Sequence, residues 1–382
     1  MNLFKKIFYK FPLATRLYFR EHLGYKAPFK LFLLNKKLNR EYKNYKFNKD
    51  SGLEVKDGIE KWYQSFKKFL SAQPNESEVA FEFFKNNISL LKSSDLETNK
   101  KEVTLLCVVK NDLLKIRKLV EHHRKIGIKH FAILDNGSTD GTIDWLKVQE
   151  DVDLFCVEDK YTTNRREAWI NRLIAYYGLN RWYLIVDSDE LFAYHNMENE
   201  KISSLINHCE NNSVNRMRAV MIDMYANDQF YLSSDDKADY IDSCRYFDLN
   251  SYKYENRDFI DLVTGGPRGR IFKQNPWLTK YPLCYFEEGD IQGKSHFLFP
   301  FSKNKNTKCS VVLLHYKFLP NDIEKYRQIS LDGNYFNGSV QYKEYVDYID
   351  NSTNLSFINE ETQEFNGTDS LYKIPILEKI NL

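Results

Sequence analysis

Between Val103 and Phe192 the chain repeats one pattern, and that pattern limits its fold more than any other feature. Short apolar runs (Val103–Val109, His130–Leu134, Leu154–Val157 and the stretch from Arg181 to Val186) alternate with segments of helical period. Leu113, Ile116, Leu119, Val120 and Ile126 mark one such helix, which Asn111-Asp112 can cap and Gly127 stops. A short helix is expected around Ile143–Val148 and a longer one over Arg165–Tyr177, stopped by Gly178. Runs of four to seven apolar residues suit strands buried on both faces. Strands that alternate with helices at this spacing predict an α/β fold: a doubly wound sheet with helices on both faces.

The last of these runs ends in Asp187-Ser188-Asp189-Glu190. Side chains alternate along an extended chain, so Asp187 and Asp189 are expected to point the same way where the strand leaves the sheet. Paired carboxylates make a hard-oxygen site for Mg2+ or Mn2+. The carboxyl ends of strands are also where open α/β sheets bind ligands. The competing reading is a solvated Asp-Ser-Asp turn.

No run approaches the length of a membrane span, and the first residues lack the apolar core of a signal peptide. Six cysteines stand far apart without a Cys-x-x-Cys pair, which argues against a disulfide framework or a metal clip and for a reducing, cytoplasmic compartment. The net charge of +2 conceals an asymmetry. Residues 1–50 hold ten Lys and three Arg against three acids, 13 − 3 = +10, so the other 332 residues sum to 2 − 10 = −8. Phe4, Ile7, Phe8 and Phe11 follow helical spacing there, as for a helix on an anionic membrane surface; an amphipathic helix packed on the body is the alternative. Nothing downstream resembles a base-reading module, so nucleic acid is not an expected partner.

Residues 57–70 and 78–92 read as two packing helices. Beyond the acidic stretch, Ile202–Cys209 reads as helix and Ala219–Met224 as strand. A long aperiodic stretch then carries Gly265-Gly266-Pro267-Arg268-Gly269-Arg270, whose glycines permit tight turns and whose arginines could clamp phosphate. Val311–Leu314 is a further strand ending at His315, and the chain is polar after Pro320. Three regions are expected: a basic, aromatic-rich helical region over 1–100, the α/β domain over 101–320, and a polar carboxyl-terminal extension over 321–382.

Taken together, Val108-Val109-Lys110-Asn111-Asp112, His122–Gly127, Asp135-Asn136-x-Ser138-x-Asp140-x-Thr142, Asp187–Phe192, Gly265–Arg270 and His315-Tyr316-Lys317-Phe318 resemble the motifs of GT-A fold nucleotide-sugar glycosyltransferases, in their family 2-like bacterial branch. The resemblance covers roughly residues 101 to 320, and Asp112 departs from it, standing where that branch has Glu. It implies a mixed sheet and a nucleoside diphosphate sugar as donor. Asp135 and Asn111 would lie at the nucleoside, and Asp187 and Asp189 at the Mn2+ or Mg2+ ion. His315 would complete the metal site or be a core histidine at a strand end. His122 and His123 are expected to be structural, and Ser138 and Asp140 to shape their loop.

The chemistry suits these residue types. A divalent ion neutralises charge on a departing diphosphate, and Arg268 or Arg270 could assist. Inversion, as in the resembled family, needs a carboxylate base. Asp290 and then Glu288, beside aromatic residues, are the expected candidates, with Asp223 and Asp228 in reserve. The implied role is sugar transfer to a glycan or glycolipid in bacterial surface polysaccharide or lipopolysaccharide assembly, on the cytoplasmic side and peripheral to the membrane. A nucleotidyltransferase also uses metal-binding acids on such a sheet, but no Gly-rich, Lys-containing phosphate loop follows the first strand. A non-catalytic membrane- or glycan-binding protein on the same scaffold would have no need of both acids.

Overall fold

The computed structural model describes residues 11, 15–16, 28–47, 52–85, 87–96, 99–227, 239–256, 261–304, 308–319, 322–333, 336–352 and 356–382. The helix expected over Phe4–Phe11 and the reserve acid Asp228 lie outside them. Ahead of the sheet the described residues include helices α1 (Pro28–Phe47), α2 (Ile59–Ala72) and α3 (Ser77–Phe83). The second of the two packing helices is shorter than its apolar spacing suggests. From Ser89 the chain extends into an edge strand, β1 (Ser89–Lys92).

The alternating region follows as β2 (Thr104–Val109), α4 (Leu113–Lys125), β3 (His130–Asp135), α5 (Thr142–Lys147), β4 (Val152–Cys156), α6 (Thr163–Tyr177), β5 (Arg181–Ile185), β6 (Glu190–Tyr194), α7 (Ile202–Asn211) and β7 (Arg216–Asp223). The aperiodic stretch resolves into a short helix α8 (Tyr240–Ser243), strands β8 (Tyr246–Asp248), β9 (Tyr252–Asn256) and β10 (Asp261–Gly265), helix α9 (Gly266–Phe272), and strands β11 (Thr279–Phe286), β12 (Ile291–Lys294) and β13 (Phe297–Phe299). The chain closes with β14 (Cys309–His315), α10 (Asp322–Asp332), α11 (Val340–Asp350), β15 (Thr362–Glu364) and α12 (Thr368–Leu371).

Nine strands form the main sheet in the order β1-β4-β3-β2-β5-β11-β7-β14-β6. Strands β4, β3, β2, β5, β7 and β14 run one way, and β1, β11 and β6 run against them. The sheet is therefore mixed and mostly parallel. Alternate side chains of each strand enter separate cores on its two faces. On one face Leu105, Cys107, Phe131 and Ile133 meet Ile116, Leu119 and Val120 of α4 and Leu205 of α7. On the other, Leu106, Ala132 and Leu134 meet Trp169 and Leu173 of α6 and Phe66 and Phe69 of α2. Helices cover both faces because both faces of these strands are apolar.

The carboxyl-terminal extension is not merely polar. Leu371, Ile374, Leu377 and Ile380 join the first core, and the Glu378 N–H donates to the Cys309 carbonyl at 2.8 Å. The last segment thus covers β14. All six cysteines are free thiols. Among the described residues no helix is long and apolar enough to cross a membrane.

Candidate metal and nucleotide site

The acids sit in a tight connection. Strand β5 ends at Ile185, the Val186 N–H still donates to the Leu106 carbonyl of β2 at 3.2 Å, and the chain reverses through Asp187-Ser188-Asp189 into β6 at the far edge beside β14. The two carboxylates meet different surroundings. Asp187 is held by Arg166 from α6 and by Lys280 Nζ at 2.7 Å from β11. Lys280 also reaches Glu190 Oε1 at 2.5 Å, and the Asp187 N–H donates to the other Glu190 oxygen at 3.0 Å. Burial would raise the Asp187 pKa, but these two cations hold it well below the usual carboxylate range.

Asp189 faces His315 instead, with Nε2 3.5 Å from its Oδ2. His315 ends β14, and its Nδ1 lies 2.6 Å from Asp223 Oδ1 at the end of β7. A ring nitrogen that donates to a carboxylate leaves the other nitrogen's lone pair to face outward, which is how metal-binding histidines are commonly oriented. Asp223 Oδ2 in turn accepts from Arg268 Nε at 2.8 Å. Asp189 is kept far below the usual range because His315, Lys115 and Lys317 outweigh burial. His315 is raised: burial opposes its charge, and Asp189 and Asp223 outweigh burial. Burial, with the like charges of Asp187 and Asp189, pushes Glu190 up despite Lys280.

Ligand atoms of Asp189, Glu190 and His315 lie within 4.8 Å of one another. Both Glu190 oxygens already accept hydrogen bonds, as do both oxygens of Asp187. The Asp189 carboxylate and the His315 imidazole are therefore the donors best placed for a cation. Hard carboxylate oxygen with one imidazole suits Mn2+ or Mg2+.

Asp135 ends β3, two strands from β5 in the sheet. It is fully buried: Oδ1 accepts the Ser138 N–H at 2.8 Å, while Oδ2 has no partner among the described residues. Asn111 lies beside this loop with a left-handed backbone (φ 49°) and accepts the Thr139 N–H at 2.7 Å. Asp140 ties the loop to α4 by accepting the Leu113 N–H at 3.0 Å, and it also accepts from Thr142 Oγ1 at 2.6 Å. It caps α4 in place of Asp112, whose side chain accepts from Ser188 and pairs with Lys325. His122 and His123 bond the Phe192 and Leu119 carbonyls, each at 2.7 Å, as structural residues do.

Two groups of expected site residues are held by other partners, Arg268 beside the site through Asp223 and the rest away from it. Arg268 and Arg270 are held by internal carboxylates: Arg268 by Asp223, and Arg270 by Asp248 through two bonds of 3.0 Å. Their charge is spent on holding α9 against β7 and β8, so neither is presented as a phosphate clamp. Asp290 and Glu288 follow the end of β11, whose Phe286 pairs with Arg181 at the start of β5. Because β11 runs antiparallel, this places them at the opposite end of the strands from Asp187. Asp290 is locked there by Arg216 at 2.8 Å and Lys303 at 2.9 Å, and Glu288 faces Lys61 at 3.5 Å. The structure does not bring either acid to the site.

The site also uses residues that the sequence reading passed over. Arg166, Lys280 and Glu190 set the charge around Asp187, and Lys115 and Lys317 do so around Asp189. Glu190 adjoins the acid pair and so carried a signal, and Asp223, expected only as a reserve candidate for the base, instead orients His315. Lys280 lay in aperiodic sequence and carried none.

Neither a protein-family model nor a curated protein sequence matches the chain. Among solved structures, the mannosyltransferase PcManGT from Pyrobaculum calidifontis, in complex with GDP-Man and Mn2+, aligns over 34% of this chain at 16% identity and a TM-score of 0.25. The matched stretch spans only 39% of that enzyme's length. HddC from Yersinia pseudotuberculosis aligns over 72% of this chain and 97% of its own, at 13% identity and a TM-score of 0.25. Both likenesses are slight, so the functional reading stands on the geometry of the site.

Proposed function

We propose that this chain is a divalent-cation-dependent glycosyltransferase of the GT-A kind. It would move a sugar from a nucleoside diphosphate donor to a hydroxyl of a glycan or glycolipid, with inversion, in bacterial surface-glycan assembly on the cytoplasmic side. The observation that carries the reading is the convergence of Asp189 and His315 at the carboxyl ends of the parallel strands, the same end of the sheet as the unpartnered oxygen of Asp135. Asp135 Oδ2 would accept an N–H or O–H of the nucleoside, which removes the cost of a buried acceptor left unmade.

Asp189 and His315 would hold Mn2+ or Mg2+ with Glu190 alongside. When bound, the ion supplies charge neutralisation for the departing diphosphate. Asp223 keeps the His315 ring aimed at Asp189. Arg166 and Lys280 neutralise Asp187 and so fix the turn that carries Asp189.

A panel of nucleotide sugars with and without Mn2+ tests this by thermal shift, since a ligand at 100 times its Kd adds about 2.7 kcal/mol. The expected result is a Mn2+-dependent shift, with release of nucleoside diphosphate. No shift with any donor refutes the reading. Release of pyrophosphate from a nucleoside triphosphate and a sugar phosphate would identify a nucleotidyltransferase instead.

A further inference from the structure

Helix α1 buries one face and leaves bulky apolar residues bare on another. Leu38, Tyr42 and Tyr45 turn inward to the second core. Phe29, Phe32 and Leu33 stand 72%, 63% and 48% exposed, and Lys36, Arg40 and Lys43 are exposed further along the helix. These six follow i, i+3, i+4, i+7, i+11 and i+14, so they form one stripe: an apolar start followed by cations. The helix carries five Lys and one Arg against Glu41, 6 − 1 = +5. Three large apolar side chains exposed within two turns, continued by a cationic row, are not an ordinary solvated face.

Contacts fix where the stripe begins. Lys30 Nζ donates to Asn75 at 2.9 Å, just ahead of α3. Glu78 and Glu82 of α3 meet Asn164 at 3.4 Å and Arg165 at 3.3 Å, in the first turn of α6. The next residue, Arg166, holds Asp187. The apolar start of α1 therefore lies toward the edge of the sheet that carries the acids. The far end of α1 meets the start of α2, where Tyr42 donates to Glu60.

We propose that this stripe docks on the surface of an anionic lipid bilayer. Phe29, Phe32 and Leu33 enter the headgroup boundary, and Lys36, Arg40 and Lys43 face lipid phosphates. Charge complementarity selects this partner. Residues 1–50 sum to +10 and the remainder to −8, so an anionic surface attracts this end and repels the rest. The docking holds the acid-bearing edge near the membrane, where a lipid-borne acceptor would be presented. That last step rests on the glycosyltransferase reading, whereas the docking does not.

The test is co-sedimentation of the full chain with vesicles of phosphatidylcholine alone or mixed with phosphatidylglycerol, at low and high salt. Mn2+ binding is measured in parallel as the readout of the site. The wild type is expected on phosphatidylglycerol vesicles at low salt and in solution otherwise. Reversing three charges in K36E/R40E/K43E should weaken binding by about 100-fold or more. F29S/F32S/L33S should weaken it by at least about tenfold. Both variants change exposed residues, so far-UV circular dichroism and Mn2+ affinity should stay as in the wild type. The proposal is overturned if the wild type ignores phosphatidylglycerol vesicles at low salt, or if both variants bind as it does. It is equally overturned if the wild type is a dimer that F29S/F32S/L33S dissociates, since a second copy would then cover the stripe.

Discussion

The two acids of Asp187-Ser188-Asp189 have different surroundings, and substituting each should have a different effect. Asp187→Asn preserves volume but turns one carboxylate oxygen into an amide NH2 beside the Arg166 guanidinium or the Lys280 ammonium. One charge-assisted bond is then lost and the other is weakened, since only its donor remains charged. Hydrogen bonds to charged groups are worth about 1.5–3 kcal/mol each and neutral ones about 1, a gross loss of about 3 kcal/mol. Two effects reduce it. Arg166 keeps Glu167 at 3.1 Å and Lys280 keeps Glu190 at 2.5 Å, so neither buried cation is left alone. The Asp187 side chain is also 33% exposed, so solvent screens part of what is removed. The net expectation is about 2 kcal/mol, or about a factor of 30 in the folded-to-unfolded ratio. Asp189→Asn removes a carboxylate that His315 at 3.5 Å, with Lys115 and Lys317, holds far below the usual range, so in metal-free protein it should also cost stability. Mn2+ affinity should separate the two variants, falling by about 100-fold or more in Asp189→Asn and by no more than about tenfold in Asp187→Asn. Urea midpoints at constant slope read the first quantity and titration calorimetry the second. The reasoning is refuted if Asp187→Asn keeps full stability yet loses Mn2+ while Asp189→Asn retains it. Asp187 would then be the ligand, as expected from the sequence.

Asp223→Asn should weaken Mn2+ binding by about 10- to 100-fold by releasing the His315 ring; an unchanged calorimetric Kd would remove Asp223 from the site. Asp153 is fixed by His130 at 3.0 Å, the Ser94 N–H and the Tyr177 hydroxyl, and despite its burial these hold its carboxyl down to about 2. A depressed carboxyl contributes stability above its unfolded pKa of about 3.9 and loses it as pH falls through the folded value, here about 2.5 kcal/mol. The stability gap between wild type and Asp153→Asn should therefore narrow by that amount between about pH 5 and pH 2, and a gap constant with pH would contradict it. Gly265→Ala places a Cβ 2.5 Å from the Ser251 carbonyl at a backbone φ of +97°. It should cost at least about 2 kcal/mol; an unshifted urea midpoint would show that the backbone between β10 and α9 can relax.

The parallel half of the sheet was legible because its strands are buried on both faces. Uninterrupted runs such as Leu105-Leu106-Cys107 have few other uses, and Gly127 and Gly178 mark helix ends with positive φ. The reversed strands were not legible. β11 enters the middle of the sheet from Thr279, with Lys280 and Tyr281 early in its sequence and Pro282 inside it. A proline and a lysine in a central strand contradict the usual pattern, and the ladder accommodates them by a register shift between Lys280 and Leu283 where β11 pairs with β7. The following acids therefore looked like a loop near the site. The fold instead carries them to the other end of the strands, where Arg216 and Lys303 claim Asp290.

The shortfall at the site has the same origin. A carboxylate's position in a motif shows where it stands along a strand, and the cation that reaches it from another element is visible only after folding. Lys280 is 93 residues from Asp187, and Arg166 reaches the same acid from the helix before it. Together they convert the first acid of an Asp-x-Asp pair from an open donor into a fixed strut. The same packing leaves Asp189 opposite a histidine that Asp223 has already oriented. A buried charge is tolerated only when it is paired, so partners withheld from one acid of a pair mark where an external cation can bind. On that criterion the open position in this fold is at Asp189, one residue before Glu190 and beside His315.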